Sequence, residues 1–269
     1  MKTIKMTAAM AAALALLSGC GGGGGDGGSA GGSEPVDAPV GAWTSLDAAE
    51  ATPRAGRQLY VLPPETSGGQ SDVWGLEFEV VDSASNPTTL VNALLTAGAS
   101  TLTGRGGVQD LAAVPSVYTA LPSVSVVPSV SGSTLTVVAG TASWTLTQAT
   151  LLAATDGLWT GAFTSTASGG TLAVSWSLGT STLTASDNTG CTYTGSIAAV
   201  AHADLPGVVR ISYASTNTDT TKRAECGDWQ GMGTVARDVN GNVAGRTLWL
   251  RKTDGTLLQR VSLSPATAG

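Results

Sequence analysis

The stretch LAVSWSL, residues 172–178, alternates large apolar side chains with small ones. Successive side chains of a β-strand point to opposite faces, so this period predicts a strand with one buried and one solvated face. The same period returns at residues 191–197, 209–213 and 257–263. The second half of the chain is therefore predicted to be a series of half-buried strands.

Turn signals separate these strands at short intervals. Asn240-Gly241 and Asp254-Gly255 are typical two-residue hairpin turns, because both central residues of such a turn need positive φ. Gly169-Gly170 and residues 187–190 also have the composition of turns. Short strands with turns every 8–12 residues predict an antiparallel meander, closed as a barrel or folded as a sandwich.

The first half shows the same organisation less regularly. Residues 76–81 alternate as a strand, and residues 57–62 are its predicted hairpin partner across Gly68-Gly69. Residues 135–138 and 144–152 form a second predicted pair around Gly140. This half is therefore also predicted to be built from β-hairpins.

Two segments of the first half are less clear. Residues 111–130 contain Pro115, Pro122 and Pro128, which predicts an edge strand or a long crossing segment. Residues 86–98 begin with Asn-Pro and end with Gly, as a short helix does, but their apolar residues fit a strand equally well.

A weak internal sequence repeat divides the chain into two regions. The sequence GAWTS at residues 41–45 and the sequence GLWTG at residues 157–161 each open a region of similar length. We therefore predict an all-β protein in which antiparallel meanders form two related barrel- or sandwich-like lobes. The predicted lobes cover residues 40–152 and 153–269.

The amino terminus has the pattern of an export signal. Lys2 and Lys5 precede an apolar run at residues 6–17, which is too short to span a bilayer, and small residues precede Cys20. This pattern resembles the bacterial lipoprotein signal. The resemblance implies a signal peptide at residues 1–19 and acyl chains on Cys20, the first residue of the mature chain.

A Gly/Ser-rich segment follows the cysteine. With Cys20 it makes up residues 20–39, predicted to be a lipidated cysteine and a flexible tether. In Gram-negative lipoproteins, an aspartate directly after the cysteine retains the protein in the inner membrane. Gly21 stands there in this chain, so the resemblance implies the outer membrane, on its periplasmic or cell-surface face.

The charge balance argues against nucleic acid as a partner. The chain has 13 basic and 19 acidic residues and a formal net charge of −6. Loss of Lys2 and Lys5 with the signal peptide leaves 11 basic residues against 19 acidic ones, a formal net charge of −8. Phosphate backbones select basic surfaces, so we expect no nucleic-acid partner.

Cys191 and Cys226 are the only cysteines besides Cys20, and in an oxidising envelope compartment two such thiols usually pair. We therefore predict a Cys191–Cys226 disulfide. One histidine in the whole chain leaves too few ligands for a tetrahedral zinc site.

The sequence offers weak candidates for catalysis. His202 with Asp204 lacks an activated serine, because the Gly-x-Ser-x-Gly match around Ser29 lies in the tether instead of a strand-to-helix turn. Glu77 and Glu79 are predicted to lie on the solvent face of one strand. Residues 238–242 resemble the start of a calcium loop but lack its later Gly and Glu, so a hairpin is predicted there. We predict no catalytic residue, no enzyme activity, no metal and no cofactor.

The tryptophans are the main sign of binding. Trp43, Trp159 and Trp176 lie in alternating apolar patterns and are predicted to be core. Trp249 lies opposite Leu248 and Leu250, so it faces either solvent or a second layer. Trp229 follows Cys226 closely, and we predict that Trp229 and Trp249 contribute to a partner patch, although Trp229 could instead fold over the end of a barrel.

Several short motifs together resemble a group of two-lobed, β-rich Gram-negative envelope lipoproteins of uncharacterised function. They are the signal at Cys20, the Gly-rich linker, Trp43-Thr44, residues 159–161 and the strand sequence CTYTG at residues 191–195. The resemblance implies a strand at residues 88–97 and names no catalytic residue.

The predicted function is that of a membrane-anchored envelope lipoprotein with a non-catalytic binding or structural role. Its expected partners are the membrane, through the lipid on Cys20, and another envelope protein or a glycan. The alternative is a lipocalin-like carrier of a small apolar ligand, which needs a closed barrel with an empty apolar interior.

Overall fold

The computed structural model describes residues 37–47, 54–81, 84–129, 132–151, 160–167, 173–237 and 243–265. Eight antiparallel strands in chain order form a closed barrel in the first half, with β1 pairing with β8. They are β1 (Gly41–Leu46), β2 (Arg54–Val61), β3 (Ser71–Val81), β4 (Ala84–Ala97), β5 (Leu102–Asp110), β6 (Val117–Pro128), β7 (Thr134–Ala139) and β8 (Ala142–Ala149).

A second closed barrel of the same topology follows, in which β9 pairs with β16. Its strands are β9 (Gly161–Ala167), β10 (Ala173–Leu178), β11 (Thr182–Asp187), β12 (Thr192–Ala199), β13 (Val209–Ser215), β14 (Trp229–Arg237), β15 (Val243–Lys252) and β16 (Leu258–Pro265). One helix, α1 (Thr220–Cys226), connects β13 to β14. The predicted class, all-β with two barrel-like lobes, is confirmed.

Each barrel closes around the inward-facing half of the alternating pattern. Trp43, Leu59 and Trp144 are buried inside the first barrel, and Trp176 and Ile211 are buried inside the second. Because the first and last strands of each barrel pair with each other, neither barrel has an open sheet edge among the described strands. The apolar residues that recur at every second position of the strands therefore form both barrel interiors.

The hairpins predicted in the first half are present, as β2 pairs with β3 and β7 pairs with β8. Residues 86–98, for which the sequence left helix and strand open, are strand over residues 86–97. They belong to β4, as the resemblance implied. Pro87 lies beside a register shift in the pairing of β3 with β4, where Phe78 pairs with Pro87 and Glu77 pairs with Thr89. The Asn-Pro signal therefore marks a bulge instead of a helix start.

The prediction that residues 111–130 form an edge or a crossing segment is wrong for most of the segment. β6 pairs with β5 on one side and with β7 on the other, so it lies inside the sheet. Pro122 lies in a register shift, between Leu121, which pairs with Gly106, and Val124, which pairs with Gly104. Pro128 is the last residue of the strand, so neither proline removes a regular ladder hydrogen bond.

The predicted disulfide between Cys191 and Cys226 is confirmed. It joins the residue before β12 to the last residue of α1. Asp219 caps the helix by accepting a hydrogen bond from the backbone N–H of Lys222, and Gly227 ends it with φ of 69°. The bond therefore fixes the short helix to the end of the second barrel.

The outer faces of the two barrels meet along an apolar seam. Trp74 and Leu90 of the first barrel are fully buried there, as are Leu205 and Met232 of the second. β3 is consequently buried on both faces over residues 71–76, unlike a half-solvated strand. Both barrels belong to one compact unit.

Candidate functional site

The predicted partner patch of Trp229 and Trp249 is not at the surface. Trp229 is 8% exposed, and its indole N–H donates to the Cys226 carbonyl at 3.0 Å across the end of the second barrel. Trp249 is 2% exposed and lies in the seam. The prediction of a partner patch is therefore wrong for Trp229, which closes a barrel. Trp249 packs between the barrels and lines the groove described below, so it is not an exposed surface residue.

Both barrel interiors are filled with side chains. Trp43 and Trp144 occupy the first interior, and Trp176 contacts Tyr213 edge-on in the second at 5.5 Å between ring centroids. An arginine lies over an inner aromatic ring in each barrel. The Arg57 guanidinium is 6.0 Å from the Trp144 ring centroid.

The corresponding pair in the second barrel is closer and more buried. The Arg246 guanidinium lies 4.7 Å from the Phe163 ring centroid, and burial lowers the pKa of Arg246. Cation–π contacts of this kind stabilise a desolvated cation by about 1–2 kcal/mol.

The weak catalytic candidates are held in ordinary structural contacts. Glu77 accepts a hydrogen bond from Arg57 at 3.0 Å, while Glu79 on the same strand is exposed, so the two acids have different environments. The Nδ1 atom of His202 accepts the backbone N–H of Asp204 at 3.3 Å. This contact belongs to a local turn, in which a carboxylate oxygen of Asp204 also lies 3.8 Å from the same nitrogen.

Several sequence predictions lie outside the described residues: Cys20 with its tether, Ser29, Trp159, Gly169-Gly170 and the hairpin at residues 238–242. No group of three or more His, Cys, Asp and Glu side chains suited to a metal ion occurs in the described part of the chain. Within the same ranges, no helix is both long and apolar enough to cross a membrane.

A groove of about 540 Å³ runs along one flank of the seam. β2 and β3 contribute Tyr60, Leu76 and Phe78 from the first barrel, and β14, β15 and β16 contribute Thr234, Trp249 and Arg260 from the second. The groove has the size of common small-molecule sites, and it lies between two lobes, where such sites often occur. We take it as the candidate functional site.

Arg260 is placed in this groove by its strand. It pairs with Trp249 in the β15–β16 ladder, and both side chains point away from the barrel interior that Val261 and Leu263 fill. Its Nη1 atom donates to Ser262 Oγ at 3.4 Å. Its Nε atom is buried and has no hydrogen-bond partner among the described residues, and burial lowers the pKa of this guanidinium.

A chain of hydrogen bonds lies beside Arg260. The Trp249 indole N–H donates to Thr234 Oγ1 at 3.3 Å, and the Thr234 hydroxyl is hydrogen-bonded to Tyr60. Burial raises the pKa of Tyr60 to about 12, against the opposing effects of Thr234 and of the Arg260 charge. The phenol therefore stays protonated at neutral pH and can donate a hydrogen bond.

The opposite flank of the seam is polar, and its polar side chains are hydrogen-bonded to one another. Arg251 Nη1 donates to Asn92 Oδ1 at 2.7 Å and to Asp72 Oδ1 at 3.2 Å. The Asn92 amide in turn donates to Asp72 at 2.7 Å and to the Val73 carbonyl at 3.0 Å. With its amide oxygen facing Arg251, Gln230 accepts two further hydrogen bonds from the guanidinium at 3.0 Å each.

These contacts make the second flank a structural clasp between the barrels. Burial raises the pKa of Asp72, because the loss of hydration outweighs the attraction of Arg251 and the hydrogen bond from Asn92. Arg210 adds a further link by donating to the Pro63 carbonyl and pairing with Glu65 at 3.6 Å. The charged groups of this flank thus have partners within the protein.

Sequence reasoning missed Arg260, Tyr60 and the Arg251 clasp. One available signal was the run Leu248-Trp249-Leu250, which is apolar on both faces of a strand and so indicates burial on both sides. Comparisons with protein-family models, curated proteins and solved structures find no match for this chain.

Proposed function

We propose that this chain is a lipid-anchored envelope protein with a non-catalytic binding role, held at the outer membrane through Cys20. The amino-terminal pattern that resembles a lipoprotein signal supports the anchor. The binding part of the proposal depends on the groove between the barrels, which contains a cation whose buried Nε has no hydrogen-bond partner among the residues that the structure describes.

The geometry favours binding over catalysis. Glu77 is paired with Arg57, and His202 Nδ1 accepts a backbone N–H, so neither presents a free acid or base next to a nucleophile. Catalytic groups need such a neighbour within hydrogen-bond reach. The groove instead combines apolar walls with a few polar groups, which is the usual composition of a binding site.

The carrier alternative receives less support. A carrier of the lipocalin type holds its ligand inside an open barrel. Here the inward side chains of both barrels, Trp43, Trp144, Trp176 and Tyr213 among them, occupy the interiors. The binding surface is therefore proposed to lie between the barrels.

The anchor is tested on the native protein expressed as the full chain. We expect the protein in the outer-membrane fraction, and mass spectrometry of its amino-terminal peptide is expected to find an acylated Cys20. The Cys20→Ser variant removes the acyl acceptor and is expected to lose both the lipid mass and the membrane fraction. A mature chain that begins elsewhere, or that leaves the membrane without detergent, would contradict the proposal.

A further inference from the structure

The described lining of the groove between the barrels contains a single charged side chain, which is positive. Arg260 is the only charged side chain among the described residues that line it, and the lining contains no carboxylate. The protein as a whole is acidic, with a formal net charge of −6. A lone cation in an otherwise uncharged groove of an acidic protein indicates that the groove accepts an anion.

The guanidinium of Arg260 indicates the kind of anion. Its Nη1 atom donates to Ser262, and its Nε atom, which is buried, has no hydrogen-bond partner within the described residues. A planar guanidinium can hold the two oxygens of a carboxylate in a bidentate pair.

The walls define the rest of the ligand. Tyr60 and Trp249 are in edge-on contact at 5.4 Å between ring centroids, and Leu76 and Phe78 continue the apolar surface along β3. A flat apolar body can lie against these rings and exclude water from the ion pair. The Tyr60 hydroxyl, which is hydrogen-bonded to Thr234 and stays protonated at neutral pH, adds a polar group to this apolar surface.

We propose that this groove binds a small organic carboxylate with a flat apolar body, with the guanidinium of Arg260 pairing with the carboxylate. The inference rests on the proposed binding role and names its ligand class. Bare inorganic anions lack the apolar body, and neutral aromatic compounds lack the partner for the guanidinium, so both should bind more weakly.

The test uses 2-naphthoate as the probe and the folded two-barrel protein labelled with ¹⁵N. Titration is followed through the Arg Nε–H and Trp indole N–H resonances, with affinity measured by calorimetry. The Arg260→Gln variant removes the charge and the fork. Arg105→Gln is the matched control, because Arg105 is exposed on β5 and does not line the groove.

We expect saturable binding of 2-naphthoate, with shifts of the Arg260 Nε–H and Trp249 indole signals. Loss of a hydrogen bond to a charged group typically weakens binding about 10-fold to 100-fold, so Arg260→Gln should lose that much affinity. Arg105→Gln should bind as the unaltered protein does. The neutral analogue 2-naphthalenemethanol and inorganic phosphate should each bind at least about 10-fold more weakly than 2-naphthoate.

Four outcomes would overturn the inference. The first three are no saturable binding of 2-naphthoate, equal affinity in folded Arg260→Gln, and phosphate binding as strong as naphthoate binding. An Arg260 Nε–H signal that already reports a carboxylate contact without probe, and does not respond to it, would assign the groove to the chain's own acidic residues and also overturn it. Acylated Cys20 with failed naphthoate binding would leave the anchor proposal intact and remove only this ligand.

Discussion

Replacing Arg251 by methionine should destabilise the protein strongly at neutral pH. Arg251 is 13% exposed and Asp72 is 11% exposed, and their contact crosses the seam between the barrels. Methionine keeps much of the side-chain length but removes the donors to Asp72, Asn92 and Gln230. Asp72 is then left as a buried carboxylate without a counter-charge.

The magnitude follows from the burial of both partners. Removing one partner of a buried ion pair typically costs about 3–5 kcal/mol, because the remaining charge loses hydration without compensation. Asn92 still donates to Asp72, so we expect a loss of free energy of unfolding near the lower end, about 3 kcal/mol at pH 7. The double variant Arg251→Met with Asp72→Asn should regain part of this loss.

The free energy of unfolding that Arg251→Met loses should depend on pH, in a direction set by the pKa of Asp72. The pKa of Asp72 is raised in the folded protein, so the folded state holds its proton at pH values where the unfolded state has released it. Stability contributed by protonated Asp72 is therefore present at low pH and is lost as pH rises through the raised pKa. Without Arg251 that pKa should rise further, so the variant should recover stability between neutral and mildly acidic pH.

The assay is urea unfolding followed by tryptophan fluorescence, because Trp74 and Trp249 lie in the seam. Lys222→Met is the matched control: it breaks an exposed pair with Glu225, which is 61% exposed, and should change stability by less than about 1 kcal/mol. The reasoning is refuted if Arg251→Met costs less than about 1 kcal/mol, or if its cost is the same at acidic and neutral pH.

Three further predictions concern other parts of the two barrels. Replacing Cys191 and Cys226 by serine should lower the free energy of unfolding by about 4 kcal/mol in urea, as for a loop of 35 residues, and a reductant should do the same to the unaltered protein. Trp249→Ala should cost about 3–5 kcal/mol in the same assay, and Trp249→Phe clearly less, since the ring fills the seam. Tyr60 and Tyr193 have pKa values of about 12, so ultraviolet titration should show phenols that stay protonated above the ordinary pKa of tyrosine. The free energy of unfolding should fall as pH rises from 10 towards 12, because in that range the unfolded chain releases these protons and the folded chain keeps them.

The barrel interiors could be predicted from the sequence because they depend on local alternation. Val209, Ile211 and Tyr213 are buried on one face of β13, as the period of two requires. A turn is present at Asp254-Gly255, where Gly255 has φ of 72°, but the loop between β15 and β16 spans residues 253–257 instead of the predicted two residues. These features arise within one hairpin, where neighbours in sequence are neighbours in space.

The seam could not be predicted in the same way. Alternation places Arg260 on the face opposite Val261 and Leu263, but it does not show what covers that face. Tyr60 covers that face. It is 200 residues earlier in the chain, and the Arg260 charge lowers its pKa across the seam. Docking of two closed barrels depends on the fit of their outer surfaces, and the pattern of a single strand contains no information about that fit.

The two flanks of the seam contain the same side-chain type in opposite conditions. Arg251 has partners in Asp72, Asn92 and Gln230, so its desolvation is compensated within the protein. Arg260 is partly desolvated in the groove, and among the described residues the one hydrogen bond of its side chain is the 3.4 Å contact with Ser262. A buried cation normally persists only with compensation. Arg251 shows that this seam can supply a carboxylate where the structure requires one, whereas no carboxylate lines the groove beside Arg260 in the described part of the chain. The proposed ligand would supply that carboxylate.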